Sequence, residues 1–560
     1  MNPFDNCLNR IAQAKRSHFW IFFAVLLILT CITIYSHPTP VGHDFFFHRM
    51  RFDALIEALK DGRYPIYLDY TAVNGYGYLT NVFYCDLLLL PFAFIGIYTN
   101  TLFAYQTMLL TMTILTGIIT YYSVNKIFKN SFVAFISAIL YTFAYYRLLD
   151  MYTRSALGET LSFTFVPLVF LGLYYIIRGD YKKWYVIVIG FSLMIFSHVI
   201  SSVLMFMTVV IILIICYKPL LKEPKRLLYL CLAGVITLII VAYYLYPMIE
   251  QTLSNMFYYE TKPIAEFHNN AKGPYQIIQG LFSGVIYRND IFLPGIGFIL
   301  IWVISIRIFL SKKSNNLKIV DIGVIIGLFF IFMSSFIFPW HIFPFNKLSF
   351  IQYPWRLYEF TTFFFAIAGA YYIFQLATTK RKVLWGGCFV LLCTVIMIGN
   401  NGRSFTEMFK GINIDTKSSI HNFYLLQGAE YLPAQFPTIW YAEVRGNIID
   451  SENINTETKN LSKEKGITSL DVHINKPDIL QLPLLYYKGY CATLNNKEIP
   501  VKQSRVGLVE IPVNESGNIR VVYSGTFVQK ISPYITLISI IGLCLYIIIN
   551  NRRKRNGQSV

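Results

Sequence analysis

Asp44 stands between His43 and a run of three phenylalanines, in the stretch VGHDFFFHRMRF that opens soon after a long apolar run. A carboxylate at such a boundary can accept a proton from an attacking hydroxyl or hold a metal ion. It can equally cap a helix, or pair at the surface with His48 or Arg51. A second segment, Tyr146 to Glu159, packs Arg147, Asp150, Arg154 and Glu159 between apolar runs. Charges near a bilayer are costly and often functional, which would put Arg154 or Glu159 in a catalytic cavity. Against that, Arg147 and Arg154 would snorkel to lipid headgroups, and Glu159 would favour a helix N-terminus. Arg356, in Tyr353-Pro354-Trp355-Arg356, carries a planar donor fork that matches phosphate, with snorkelling as the competing role. Pro354 restrains the backbone there, and Trp355 is expected at the membrane interface. His198, between Ser197 and Val199, is either a hydrogen-bonded structural residue or a sugar or phosphate contact. Asn74-Gly75-Tyr76-Gly77-Tyr78 reads as a turn whose tyrosines suit sugar contacts.

The elements that must hold these groups are apolar. Of 560 residues, 55% are hydrophobic and 14% charged, with a mean hydropathy of +0.50. An average soluble domain is roughly a quarter charged, so soluble, disordered and fibrous classes fit poorly. A spanning helix needs about 20 mostly apolar residues. The candidate runs are 18–36, 82–98, 101–124, 131–147, 159–178, 184–198, 199–217, 227–248, 290–310, 319–339, 358–377, 383–399 and 531–550. Basic clusters such as Lys126/Lys129, Arg178/Lys182/Lys183, Lys312/Lys313 and Lys380–Lys382 can all face the cytoplasm. Much of the formal charge of +18 is thereby topology, and nucleic acid is not needed as a partner.

That arrangement works only if one of 82–98 and 101–124 does not cross. The first is short and contains Asp86 and Pro91, so it is expected to be juxtamembrane or re-entrant, beside a cavity. Twelve spans remain, with both termini inside and the first run a retained span rather than a cleaved signal. Nine cysteines, mostly in apolar runs and without a CxxC pair, argue against a zinc site or a disulfide framework.

The resulting division is a multi-span domain over 1–399 with a first outer loop at 37–81, an outer domain over 400–530, and a last span with a basic tail over 531–560. Within the loop, Phe47, Phe52, Leu55, Ile56 and Leu59 predict an amphipathic helix over 48–59, stopped by Gly62 and Pro65. In the outer domain, alternation over 467–475, 505–511 and 518–523 predicts strands, and Asn495-Asn496 a turn. The fold class expected is thus a polytopic α-helical membrane protein with a β-rich extracytoplasmic domain before the last span.

Gly42-x-Asp44-x3-His48, with Gly62-x2-Pro65 and Gly75-x-Gly77-x6-Tyr84, resembles the first outer loop of the GT-C glycosyltransferase superfamily. Tyr353-Pro354-Trp355-Arg356, Glu430-Tyr431-Leu432-Pro433 and Leu484 to Tyr490 resemble segments of the bacterial YfhO-type membrane protein family. The resemblance is spread over nearly the whole chain, and its strength lies in the order of short motifs. It implies a GT-C-like fold and an enzyme of the bacterial plasma membrane, active at the outer face. The implied partners are a polyprenyl-phosphate-linked sugar and a surface glycopolymer such as teichoic acid. Asp44 would be the general base, Arg356 and Arg154 would bind the donor phosphate, and His48, Tyr76, Tyr84, Glu159 and His198 would line the substrate site. No cofactor is required, and a divalent metal is compatible with the reading. A lipid-linked-sugar transporter or flippase, or a noncatalytic surface-polymer assembly protein, are the competing classes. The sequence lacks two related halves with paired broken spans, which a transporter would be expected to carry.

Overall fold

The computed structural model describes residues 15–37, 41–261, 271–284, 293–311, 314–411, 429–452 and 456–555. The Lys312/Lys313 cluster and part of the 400–530 region lie outside them. Seven described helices are long and apolar enough to cross a membrane: Ser17–Ser36, Thr101–Phe128, Ser131–Arg154, Asn315–Met333, Pro354–Leu376, Lys380–Met408 and Phe527–Arg552. A bent pair, Lys225–Ile240 and Ala242–Ser254, turns through 74° and brings the number to eight if it is one span. Val166–Ile177, Val199–Ile215 and Phe298–Phe309 are apolar but shorter. The region 82–98 contains only Thr80–Phe83 and Leu90–Tyr98, separated by non-helical backbone around buried Asp86.

The chain forms two compact units that do not follow the linear division expected from sequence. The first is 1–45, 105–237 and 265–414; the second is 46–104, 238–264 and 415–560. In the first unit the two most central helices are Ser131–Arg154 and Pro354–Leu376, with 83% and 94% of their apolar windows buried. Ser131–Arg154 is capped by Asn130, whose Oδ1 accepts from the Val133 N–H at 3.0 Å. Close packing is set by small residues. A methyl group on Gly369 would lie 2.1 Å from Val303 Cγ2, so only glycine admits that approach.

The second unit combines the first loop, the final helix and a β-sandwich. The expected amphipathic helix is Phe45–Lys60, with Phe47, Phe52, Leu55 and Ile56 buried. It ends at Asp61-Gly62, where Gly62 takes φ +68°. The nine strands among the described residues are β1 Asp450–Ser451, β2 Glu457–Glu464, β3 Ile467–His473, β4 Asp478–Leu485, β5 Tyr490–Leu494, β6 Lys497–Ile499, β7 Lys502–Gln503, β8 Leu508–Val513 and β9 Gly517–Tyr523. They make antiparallel sheets ordered β1-β4-β8-β7 and β2-β3-β9-β5-β6. Alternate residues of both sheets, among them Leu470, Val472, Leu480, Leu482, Ile511 and Val521, meet in one core. Asn495 and Asn496 both take positive φ between β5 and β6, as a two-residue hairpin of this hand requires.

The first loop packs into this unit through aromatic residues. Tyr76, Tyr78, Phe257, Phe436, Tyr487 and Leu508 share one buried cluster. The Leu485 N–H donates to the Tyr76 carbonyl at 2.8 Å. These contacts are why 46–104 belongs with the β-sandwich.

Candidate functional site

The helix Ser131–Arg154 does not end as an α-helix. Its last turn, Leu149–Arg154, is a π-helix closed by Ser155 at φ +53°. Such turns are rare and recur at functional sites. The widened turn sends Asp150 and Arg154, four residues apart, toward one another as an ion pair in which both are buried. Arg154 Nη1 also donates to Glu159 Oε2 at 2.8 Å. Glu159 begins the short helix Leu157–Ser162, and its Oε1 accepts the Tyr146 hydroxyl at 2.6 Å.

Arg356 completes the group. It lies on the 3-10 turn Pro354–Leu357, where proline supplies a first residue that needs no N–H partner. Its Nε forms an ion pair with Glu159 Oε2 at 3.3 Å. Its Nη1 donates to the Ile351 carbonyl at 2.9 Å and to Gln352 Oε1 at 3.2 Å. Its Nη2 makes no hydrogen bond among the described residues. The Tyr353 ring lies 6.0 Å from the Arg154 guanidinium and 5.3 Å from that of Arg356, within cation–π reach of both.

Three residues on, Glu359 is fully buried and is held by two hydroxyls, from Ser162 at 2.5 Å and Ser201 at 2.7 Å. His198 caps the helix Val199–Ile215. Its Nδ1 is 2.9 Å from Ser201 Oγ, the hydroxyl that donates to Glu359.

Asp44 reaches this group through the backbone. Its N–H donates to the Arg154 carbonyl at 2.8 Å, and the His43 N–H to the Thr153 carbonyl at 3.1 Å. A methyl group on Gly42 would lie 2.1 Å from the Tyr152 carbonyl oxygen. Only glycine lets residues 42–44 lie this close along the π turn. The Asp44 carboxylate is half-buried and within electrostatic range of Arg154. Two guanidiniums and the carboxylates of Asp150, Glu159 and Glu359 thus share one buried site, edged by a fourth carboxylate that is partly open to solvent.

Of the residues singled out from sequence, the structure brings Asp44, Arg154, Glu159, His198 and Arg356 together. His48, Tyr76 and Tyr84 belong to the second unit. There the Arg51 guanidinium donates to His48 Nδ1 at 3.1 Å and packs over the Tyr84 ring at 5.0 Å. Tyr76 is fully buried, and its hydroxyl donates to the Gly446 carbonyl at 2.6 Å. One expectation is corrected. Arg147 does not snorkel: it is fully buried and donates to the Thr142 carbonyl at 2.8 Å. Trp355 is 4% exposed, with Lys272 Nζ 4.3 Å from its ring centroid.

Sequence reasoning passed over Tyr146, Ser162, Ser201 and Glu359. Glu359 had a readable signal, a carboxylate within an apolar run and three residues after Arg356. The hydroxyls had none, because a serine or tyrosine in an apolar helix is ordinary. Among the described residues no group of three or more His, Cys, Asp or Glu side chains is arranged to hold a metal ion.

No family model matches the chain, and no solved structure matches it. A curated protein of Lactococcus lactis subsp. cremoris (strain MG1363), described as uncharacterized, is 24% identical over 346 residues. The match covers 58% of this chain and 54% of the relative, so the chain spans about half the length of the curated protein it matches.

Proposed function

We propose that this protein is an integral-membrane glycosyltransferase of GT-C type, similar to the YfhO-type family, that takes a sugar from a polyprenyl-phosphate carrier. The acceptor would be a surface glycopolymer, teichoic acid being one candidate, at the outer face of a bacterial plasma membrane. The twelve crossings of this topology would be the seven long helices, the bent pair taken as one, and the shorter apolar helices Val166–Ile177, Tyr185–Ser197, Val199–Ile215 and Phe298–Phe309. The observation that carries the reading is the junction of Asp44 with the buried arginines: a half-buried carboxylate pinned by backbone bonds onto the turn that bears Arg154.

In this reaction the acceptor hydroxyl oxygen attacks the anomeric carbon of the donor. Asp44 takes the hydroxyl proton, and the carbon–oxygen bond to the lipid phosphate breaks with its electron pair leaving on phosphate. Attack from the face opposite the leaving group inverts the anomeric centre. A positioned base contributes roughly 10²–10⁴-fold. Arg356, its remaining donors turned to the leaving phosphate and its orientation fixed by Glu159, would stabilise the charge that develops there. Arg154 holds Glu159 and Asp150, which makes its part chiefly one of positioning.

A carrier or flippase for a lipid-linked sugar would also use buried charges among apolar helices, and it is the alternative. Transfer measured with purified protein and a short-chain prenyl-phosphate sugar separates the two. Asp44→Asn should fold normally and lower turnover at least about 100-fold. Near-normal turnover in that variant removes Asp44 from the chemistry, and an absence of transfer in wild type favours the carrier.

A further inference from the structure

The π turn has a second face. Asp150 and Arg154 point to the carboxylates, whereas Leu149 and Thr153 line a cavity of about 240 Å³ within the first unit. Its other polar walls come from Gln279, Asn400 and Ser404, and its aromatic walls from Tyr145, Phe282 and Phe405. None of the described residues lining it carries a charge. The side chains of Gln279 and Ser404 make no hydrogen bond among the described residues. Asn401, also in the wall, is held by His37 Nε2 at 2.7 Å.

These walls select a chemical class. An ionised ligand would be taken from water with no counter-charge to meet it. A hydrocarbon chain would leave amides and hydroxyls unpaired. A neutral polyol satisfies both demands, since its hydroxyls reach the amide and hydroxyl walls while its C–H faces pack on the rings. The volume holds about eight waters at ~30 Å³ each, which suits a single pyranose ring and excludes an oligosaccharide. Thr153 ties the cavity to Asp44, because its carbonyl accepts the His43 N–H at 3.1 Å.

We infer that this cavity binds one uncharged monosaccharide ring. On the glycosyltransferase reading, on which this last step rests, the donor sugar is therefore a neutral hexose or N-acetylhexosamine and not a uronic acid.

The test is saturation-transfer NMR on the full-length protein in lipid nanodiscs. The probes are the methyl glycosides of glucose, galactose, N-acetylglucosamine and glucuronic acid. At least one neutral glycoside should receive saturation on its ring protons, and the glucuronide should bind at least about tenfold more weakly. Ser404→Val and Gln279→Leu should each weaken that binding about fivefold without lowering the melting temperature. Either variant suffices if the other folds poorly. Absence of saturation with every neutral glycoside overturns the inference. So does equal binding of the glucuronide, or unchanged binding in the wall variants. Binding without any transfer would leave the cavity a sugar site and remove the enzyme. Transfer with intact wall-variant kinetics would keep the enzyme and remove the cavity.

Discussion

In the second unit, buried tyrosine hydroxyls mostly go to backbone carbonyls: Tyr76 to Gly446 at 2.6 Å, Tyr244 to Phe83 at 2.6 Å and Tyr487 to Tyr431 at 3.1 Å. Around the ion pairs of the first unit, hydroxyls go instead to carboxylates. Tyr146 donates to Glu159, and Ser162 and Ser201 donate to Glu359. A hydroxyl on a carbonyl completes a fold, because it satisfies a dipole that folding has already fixed. A hydroxyl on a buried carboxylate stabilises a charge that apolar packing alone would not require. The contrast separates the tyrosines of the first loop from the arginine–carboxylate group, although both looked like ligand-binding residues in the sequence.

The largest expected effect is the loss of Arg154. Arg154→Leu leaves Asp150 and Glu159 buried beside a single remaining guanidinium. Removing one partner of a buried pair costs about 3–5 kcal/mol, so little folded protein should survive size-exclusion chromatography. If Arg154→Leu is obtained in normal yield, the first unit does not depend on its ions as the comparison requires.

Arg356 comes next. Arg356→Ala should lower kcat/KM for the prenyl-phosphate donor by on the order of 2–4 kcal/mol in transition-state terms, and Arg356→Lys should lower it partly. Full activity in the lysine variant, with reduced yield in the alanine variant, would make Arg356 an anchor.

Asp86 is one buried carboxylate of the second unit that departs from this pattern, since it accepts the Tyr243 hydroxyl at 2.9 Å. Burial pushes its carboxyl up to about 6, against the pull of Tyr243 and Arg51. A carboxyl raised in the folded chain contributes stability that is whole below about pH 4 and is lost as pH climbs through about 6. The melting temperature should therefore fall across that window, by the equivalent of on the order of 3 kcal/mol, and Asp86→Asn should flatten the profile. A wild-type profile that rises from pH 4 to pH 6 would contradict a buried neutral acid.

The smallest effect sharpens the contrast most. Tyr76→Phe strands the Gly446 carbonyl and should cost about 1 kcal/mol of stability while leaving sugar transfer unchanged. A drop in transfer at normal stability would return Tyr76 to the substrate site.

Much of the architecture was legible because it rests on periodicity. The alternation over 467–475 and 518–523 became β3 and β9, and the apolar stripe from Phe47 to Ile56 became one face of Phe45–Lys60. Pro91 and Asp86 marked 82–98 as unfit for one continuous helix, and it is broken there. The division into units was hidden, since it depends on contacts such as Tyr76 with Leu485, far apart in the chain. The site was legible only where charge is scarce. Arg154, Glu159 and Arg356 stood out against apolar runs, but Glu359 was absorbed into its helix and the π turn has no composition that announces it. Tyr76 lies in a glycine–tyrosine turn, and such turns serve cores as readily as sugars.

The ion-pair group also bears on biogenesis. Asp150 and Arg154 share one turn and Glu159 follows on the next helix, so the three leave the ribosome almost together and can pair early. Arg356 emerges only after a long further stretch of chain, bringing Glu359 three residues behind it. Glu159 must wait for its second arginine, whereas Ser162 and Ser201 are already made when the Glu359 they hold appears. The group can close only late in translation, and a chain truncated before Arg356 lacks the residues that complete it.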